Sequence, residues 1–215
     1  AESVDATVFG GDTRISKAGL ETLAFSNAGF VDYTDDGQDE VIRGKLSTNA
    51  IPITIAPTDG LMNSPVYFFE GKLNSYQWGG AVGVHTPFSL AGQSAGGRKI
   101  VAGTLLEDGV TARTVTANGT GRNVGAVLAT EKLYAVFHLI AFTGWVSVDM
   151  IVQSDANDTW ASPVTQVTFA NRTTIGAQYA TPIAGAITDA WWRASWTFNG
   201  AGPGSAKFVV AVGVK

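Results

Sequence analysis

The sequence contains no cysteine, which excludes disulfides, thiolate catalysis and thiolate metal sites. It also lacks any uninterrupted apolar run approaching the roughly 18 residues that a membrane-spanning helix needs. No basic segment followed by an apolar stretch marks the N-terminus as a targeting signal. We therefore expect a chain that neither spans a membrane nor carries a targeting signal.

Charged residues are also scarce, at 15% of the chain, against about a quarter in ordinary domains. The formal net charge is −4 and the 14 basic residues are scattered, so we expect no sequence-specific binding of nucleic acid. Two explanations of the low charge stay open. Either part of the surface is covered by other protein, or the chain is a core-rich sandwich whose exposed faces carry Ser, Thr and Asn.

What the chain does contain is a strand pattern, because short apolar stretches end at Gly, Asn, Asp or Pro every eight to twelve residues or so. Residues 132–142 are apolar on both alternations, which predicts a strand buried on two faces. A strand is predicted at residues 146–153, in which Val146, Val148, Met150 and Val152 are expected to share one face. Further strands are predicted at residues 164–169, 175–179, 191–198 and 207–214.

The first half predicts a less regular set of strands. A strand at residues 49–56 carries Pro52 near its start, which favours an edge position. Two strand pairs are predicted, residues 66–70 with 73–78 around Gly71, and residues 82–90 with 99–106.

The spacing of Leu20, Leu23 and Phe25 predicts one short helix within residues 15–25. A composition change at residues 118–122 suggests a domain boundary. We predict an all-β protein, with a β-barrel-like or sandwich assembly domain at residues 1–120. A jelly-roll or immunoglobulin-like β-sandwich is predicted at residues 125–215.

Residues that could carry catalysis are few. A Ser–His–Asp relay needs a histidine within reach of a nucleophile and a carboxylate. His138 lies in the most apolar predicted strand and is expected to be buried and hydrogen-bonded, while His85 is expected at a strand end. Glycoside hydrolysis needs two facing carboxylates. Glu70 and Asp149 are the candidate inward acids, with Asp149 favoured on the solvated face, so we predict no catalytic residue and no enzyme.

Metal and cofactor sites are also not predicted. Asp155, Asn157 and Asp158 offer oxygen ligands at a spacing that Ca²⁺ tolerates, but Asx turns explain these residues without an ion. The glycines fall in turns and form neither a Walker A loop nor a dinucleotide fingerprint.

Two groups of residues are candidate contacts for assembly. The first is the acidic run at residues 32–40, predicted to be a surface loop. The second is a subset of the six tryptophans, which could also stack on sugars if several lined one exposed face. Trp192 and Trp196 share a face and are predicted to fill the core, whereas Trp191 points the other way. The candidate contacts are Asp35, Asp36, Asp39, Glu40, Trp160 and Trp191.

Segments with a familiar pattern are spread over most of the chain, at residues 9–25, 65–83, 98–106, 133–144, 151–155, 162–169, 187–198 and 208–214. They include PVYFFEGKLNSYQWGGAVG, LYAVFHLIAFTG and ITDAWWRASWTF. These segments resemble structural proteins of tailed bacteriophages, which are encoded among head and tail genes.

The resemblance implies a virion component that is assembled in the host cytoplasm. The first half resembles the β-barrel part of a tail tube subunit, and the second half resembles a jelly-roll or immunoglobulin-like appendage. Such proteins assemble into rings or trimers and contact other virion proteins, so the expected partner is a further copy of the chain. The alternatives are a capsid decoration protein and a β-sandwich module that binds carbohydrate or a receptor.

Overall fold

The computed structural model describes residues 3–5, 16–18, 21–31, 38–46, 48, 50–79 and 86–215. These residues form one helix, α1 (Gln38–Lys45), and are otherwise strands and connections, which confirms the all-β prediction. The strands in chain order are β1 (Ser3–Asp5), β2 (Ser16–Ala18), β3 (Ala24–Phe30), β4 (Ile51–Ile55), β5 (Pro65–Trp78), β6 (Pro87–Ser94), β7 (Val101–Asp108), β8 (Ala117–Asn118), β9 (Arg122–Asn123), β10 (Lys132–Thr143), β11 (Ser147–Asp155), β12 (Val164–Thr168), β13 (Gly176–Tyr179), β14 (Ile183–Ala184), β15 (Trp191–Asn199) and β16 (Ser205–Val214).

The chain divides into two compact units. The first contains residues 1–51 and 69–100, and the second contains residues 52–68 and 101–215. Strand β5 therefore contributes its first residues to the second unit and its later residues to the first. The domain boundary predicted near residue 120 stays a prediction.

The first unit is built on an antiparallel sheet in which β6 pairs with β5 on one side and with β3 on the other. Residues 66–70 and 73–78 were predicted to be two paired strands, but they belong to one continuous strand, β5. The reason is that Gly71 does not turn the chain, because it stays in the ladder opposite Ser94. The pairing predicted between residues 82–90 and 99–106 is also wrong, since β6 and β7 each pair with β5.

The helix predicted within residues 15–25 is wrong where the structure describes this segment, because residues 16–18 form β2 and β3 begins at Ala24. Leu23 and Phe25 follow the two-residue spacing of a strand, and the Phe25 ring packs on Phe69 at 6.0 Å between centroids. The observed helix, α1, instead takes up the end of the predicted acidic loop. Its acidic residues lie in the first turn and its basic residues in the last, which favours a helix here.

The second unit is a sandwich of two antiparallel sheets. Sheet I has the strand order β13-β10-β16-β7, with residues 65–68 of β5 paired to β7. Sheet II has the order β12-β11-β15-β8, with β9 also paired to β15. Inward-facing residues of both sheets form one apolar core, and neither sheet closes into a barrel in the described part of the chain.

Strand β10 is buried on both faces, as predicted. Leu133 and Phe137 point into the sandwich core, whereas Tyr134 and Val136 join a second apolar cluster on the other face of sheet I. Strand β11 sends Val148, Met150 and Val152 inward, also as predicted. Val146 was expected to share that face, but it precedes the strand and is 67% exposed.

Candidate functional site

The last strand of the first unit's sheet, β3, presents one side of its backbone to no other described strand. The N–H of Val31 donates to the carbonyl of Thr86 at 2.8 Å, and the N–H of Ser94 donates to the carbonyl of Leu23 at 2.7 Å. In an antiparallel ladder, alternate residues direct both backbone groups to the same side. The odd-numbered residues of β3 therefore bond to β6, and Ala24, Ser26 and Ala28 direct their backbone groups away from it.

The side chains of β3 do little to block this edge. The segment AFSNAGF contains no charged residue and no proline, and its register with β6 continues through seven residue pairs without a bulge. Natural edge strands are protected by lysine, proline, bulges or a covering element. Among the described residues, Asn27 Oδ1 accepts the N–H of Ala28 at 2.8 Å, and this local contact occupies one of the outward donors. The edge formed by Ala24, Ser26 and Ala28, the β3 edge, can therefore accept a further strand.

The acidic residues predicted as assembly contacts differ in their structural environment. Asp35 and Asp36 lie outside the described residues. Asp39 is buried, accepts a hydrogen bond from the Tyr76 hydroxyl at 2.8 Å, and forms an ion pair with Arg43 at 2.7 Å. It therefore fastens α1 to β5 within the first unit. Glu40 is exposed, and the role of these acids in assembly stays a prediction.

The tryptophans of β15 divide between the two faces of sheet II, as the alternation predicts. Trp192 and Trp196 are buried in the core, where their indole N–H groups donate to the carbonyls of Gly125 at 2.8 Å and Val115 at 2.9 Å. Trp191 is half-buried on the opposite, outward face.

Arg193 is the next residue after Trp191 on that outward face, and its side chain contacts Trp160. The Arg193 guanidinium lies 4.2 Å from the centroid of the Trp160 ring, and its Nε donates to Gln153 Oε1 at 2.9 Å. The structure therefore brings Trp160 and Trp191 to the same face of sheet II. Arg193 was not predicted as a site residue from the sequence. Its position between Trp192 and Trp196 could have indicated a contact with an aromatic ring.

The loop that carries Trp160 is closed by a buried carboxylate. Asp155 is 3% exposed, and its two oxygens accept the N–H groups of Asn157 at 3.2 Å and Ser162 at 2.9 Å. Asn157 Oδ1 in turn accepts the N–H of Thr159 at 3.0 Å. These are the Asx turns expected from the sequence. Among the described residues, no three His, Asp or Glu side chains are grouped closely enough to hold a metal ion.

A second polar network lies farther along the same face. Asn171 Nδ2 and Asn199 Nδ2 donate to the two oxygens of Asp149 at 2.7 and 2.8 Å. The same amides donate to Ser147 Oγ at 2.9 and 3.0 Å. Asp149 therefore faces outward, as expected, with its carboxylate held by amides.

The remaining titratable candidates are held by neighbours. His138 Nε2 and Thr54 Oγ1 are hydrogen-bonded at 2.8 Å, and burial lowers the pKa of His138 to about 4. His138 is therefore neutral at pH 7, whereas His85 lies outside the described residues. Glu70 is paired with Arg98 at 2.8 Å, and burial raises the pKa of this carboxyl.

A comparison of the chain with known protein families and with curated proteins found no match. In the part of the chain that the structure describes, no helix has the length and apolar character needed to cross a membrane.

Proposed function

We propose that this chain is a self-assembling structural component of a phage virion, and specifically a tail tube subunit. The observation that carries the proposal is the β3 edge, a seven-residue strand without charge or proline at the end of a sheet. The resemblance of many segments to structural proteins of tailed bacteriophages supplies the biological setting. The expected location is the virion, after assembly in the host cytoplasm.

The β3 edge supports assembly by strand addition. The outward N–H and C=O groups of Ala24 and Ser26, with the C=O of Ala28, can pair with the main chain of a neighbouring copy. Each such bond contributes a net stabilisation of about 1 kcal/mol, so several bonds repeated around a ring are significant. A closed ring also covers every such edge, which removes the tendency of open edges to aggregate.

Exposed apolar side chains in the second unit also support an assembled state. Leu61, Val110, Val115 and Val146 are 48%, 60%, 64% and 67% exposed. Single exposed apolar residues are normal on protein surfaces, but here they accompany an unusually low content of charge. Contact with other virion proteins would remove this apolar surface from water.

The proposal is tested by the mass and shape of the particles that the purified chain forms. Analytical ultracentrifugation and negative-stain electron microscopy should show rings or tubes whose proportion rises with protein concentration. A trimer that binds preformed capsids would instead support the decoration protein. A monomer at every concentration, with no binding to phage tails or capsids, would contradict both assignments.

A further inference from the structure

We propose that the outward face of sheet II binds a neutral oligosaccharide. This surface, the Trp191 face, consists of the outward residues of β11 and β15 together with Trp160. Directly opposed residues of the two strands share a face, so Trp191, Arg193 and Gln153 lie side by side, and Asp149 lies farther along. The inference goes beyond assembly, because it assigns a ligand to a surface that the β3 edge does not include.

The first argument is the state of the Trp191 side chain. Trp192 and Trp196 each donate an indole N–H to a backbone carbonyl, as buried tryptophans usually do. Within the described part of the chain, the Trp191 indole makes no hydrogen bond and no ring contact, and it stays half-buried. It therefore offers an apolar ring surface and a hydrogen-bond donor together, a combination that suits the faces and hydroxyls of a sugar ring.

The second argument is that Trp160 is held in place before any ligand arrives. Its backbone has a φ of 55°, in the left-handed region that a bulky residue rarely adopts. Asp155 accepts backbone N–H groups before and after Trp160 in the loop. Gly121 also lies against the indole, because a Cβ added there would be 2.6 Å from Cζ2. A ring fixed in this way loses little conformational entropy on binding, which raises affinity.

The third argument concerns the charged side chains on this face, which are already hydrogen-bonded within the chain. The Arg193 guanidinium contacts the Trp160 ring and donates to Gln153. The buried Asp155 carboxylate accepts backbone N–H groups. The Asp149 carboxylate accepts both of its flanking amides. One basic and two acidic side chains leave this group with a net negative charge, which disfavours a nucleic acid or an acidic glycan, so a neutral ligand fits better.

The polar groups that remain suit hydroxyls. Asn171 and Asn199 use both amide protons on Asp149 and Ser147, which leaves their Oδ1 atoms as acceptors in fixed positions. From Trp191 to Thr197 the face extends for about 20 Å along β15. This length suits an oligosaccharide that stacks at the tryptophan end and is hydrogen-bonded along the strands.

The test uses the intact chain on an array of neutral oligosaccharides, followed by titration of the strongest binder with isothermal titration calorimetry as the readout. Trp191→Ala should weaken binding about tenfold or more, and Trp160→Ala should also weaken it. Tyr67→Ala is the matched control, because Tyr67 is an exposed aromatic residue of the second unit, 44% exposed, outside this face. Circular dichroism confirms that each variant is folded.

Several results would overturn the proposal. These are the absence of any neutral glycan that binds, equal binding by Trp191→Ala and the unaltered chain, or equal losses in Trp191→Ala and Tyr67→Ala. Binding of acidic glycans alone, or of a protein partner at this face in place of glycans, would also overturn it. Sedimentation velocity of the unaltered chain measures self-assembly independently of glycan binding, so failure of this proposal is distinguishable from failure of the tail tube assignment.

Discussion

Glu107 and Arg113 form an ion pair in the sandwich of the second unit, with 2.6 Å between Glu107 Oε2 and Arg113 Nη2. The Glu107 side chain is only 2% exposed, and burial raises the pKa of its carboxyl. The Arg113 guanidinium also lies 5.2 Å from the centroid of the Trp196 ring. Arg113 also exchanges two backbone hydrogen bonds with Ala206 of β16. These bonds attach the connection after β7 to β16.

Replacing Arg113 should show how much this ion pair contributes to the free energy of unfolding. Arg113→Met leaves the buried Glu107 carboxylate without its partner, and we expect a loss of about 3–5 kcal/mol in the free energy of unfolding. The double variant Glu107→Gln/Arg113→Met removes the unpaired charge and should recover part of that loss. Urea denaturation at pH 7 measures both. Equal losses in the single and double variants would show that the buried charge is not the cause.

The half-buried, desolvated imidazole of His138 predicts a pH dependence of stability. The pKa of His138 is about 4 in the folded chain, against an ordinary value of 6.5. Above pH 6.5 the imidazole is neutral in both states, so its burial has no pH-dependent effect. As the pH falls from 6.5 to 4, only the unfolded chain gains the proton, and stability falls by up to about 3 kcal/mol.

His138→Gln serves as the reference because glutamine can still bond to Thr54 but does not titrate in this range. Urea denaturation at several values between pH 8 and pH 4 should show a steeper loss for the unaltered chain than for the variant. Glu107 is present in both proteins, so its opposing pH effect cancels in the difference. Parallel pH profiles would contradict the assigned burial of the imidazole.

The two adjacent tryptophans should differ sharply in their effect on stability. Trp192 is fully buried and donates to Gly125, so Trp192→Ala should lower the free energy of unfolding by about 3–5 kcal/mol. Trp191→Ala removes a half-buried ring and should lower it by about 1 kcal/mol. Chemical denaturation of both variants checks the difference, and similar losses would mean that the two faces of β15 have been misassigned.

The role of Asp155 in holding the loop that carries Trp160 can be tested by hydrogen exchange. Asp155→Ala removes the acceptor for the N–H groups of Asn157 and Ser162. Hydrogen exchange at residues 156–162 should then speed up, while exchange in the core strand β10 should change much less. Unchanged exchange in the loop would show that other contacts hold Trp160 in place.

The sequence predicts the second unit better than the first, for reasons that particular strands make clear. Strands β10, β11 and β15 lie within about two residues of their predicted bounds, because the alternation of buried and exposed residues is a local signal. The continuity of β5 through Gly71 was missed, since glycine has the same sequence signature whether it turns the chain or continues a ladder.

The candidate surfaces depend on contacts that alternation does not specify. The β3 edge could not be predicted because the chain around Leu23 and Phe25 fits a short helix as well as a strand. The contact of Arg193 with Trp160 depends on how a loop folds back over the sheet. The bond between Thr54 and His138 likewise joins residues 84 positions apart. The separation of Trp191 from Trp192, in contrast, follows directly from the two-residue period of a strand.

The β3 edge is the central claim of the assembly account, and a proline at Ser26 tests it most directly. The Ser26 N–H points away from β6, so Ser26→Pro keeps the ladder within the chain but removes the outward donor and obstructs a neighbouring strand. Ser26→Thr retains the N–H and is the control. Sedimentation velocity should show assemblies for the unaltered chain and Ser26→Thr, and single folded chains for Ser26→Pro. Assembly of Ser26→Pro to the same extent as the control would contradict the account.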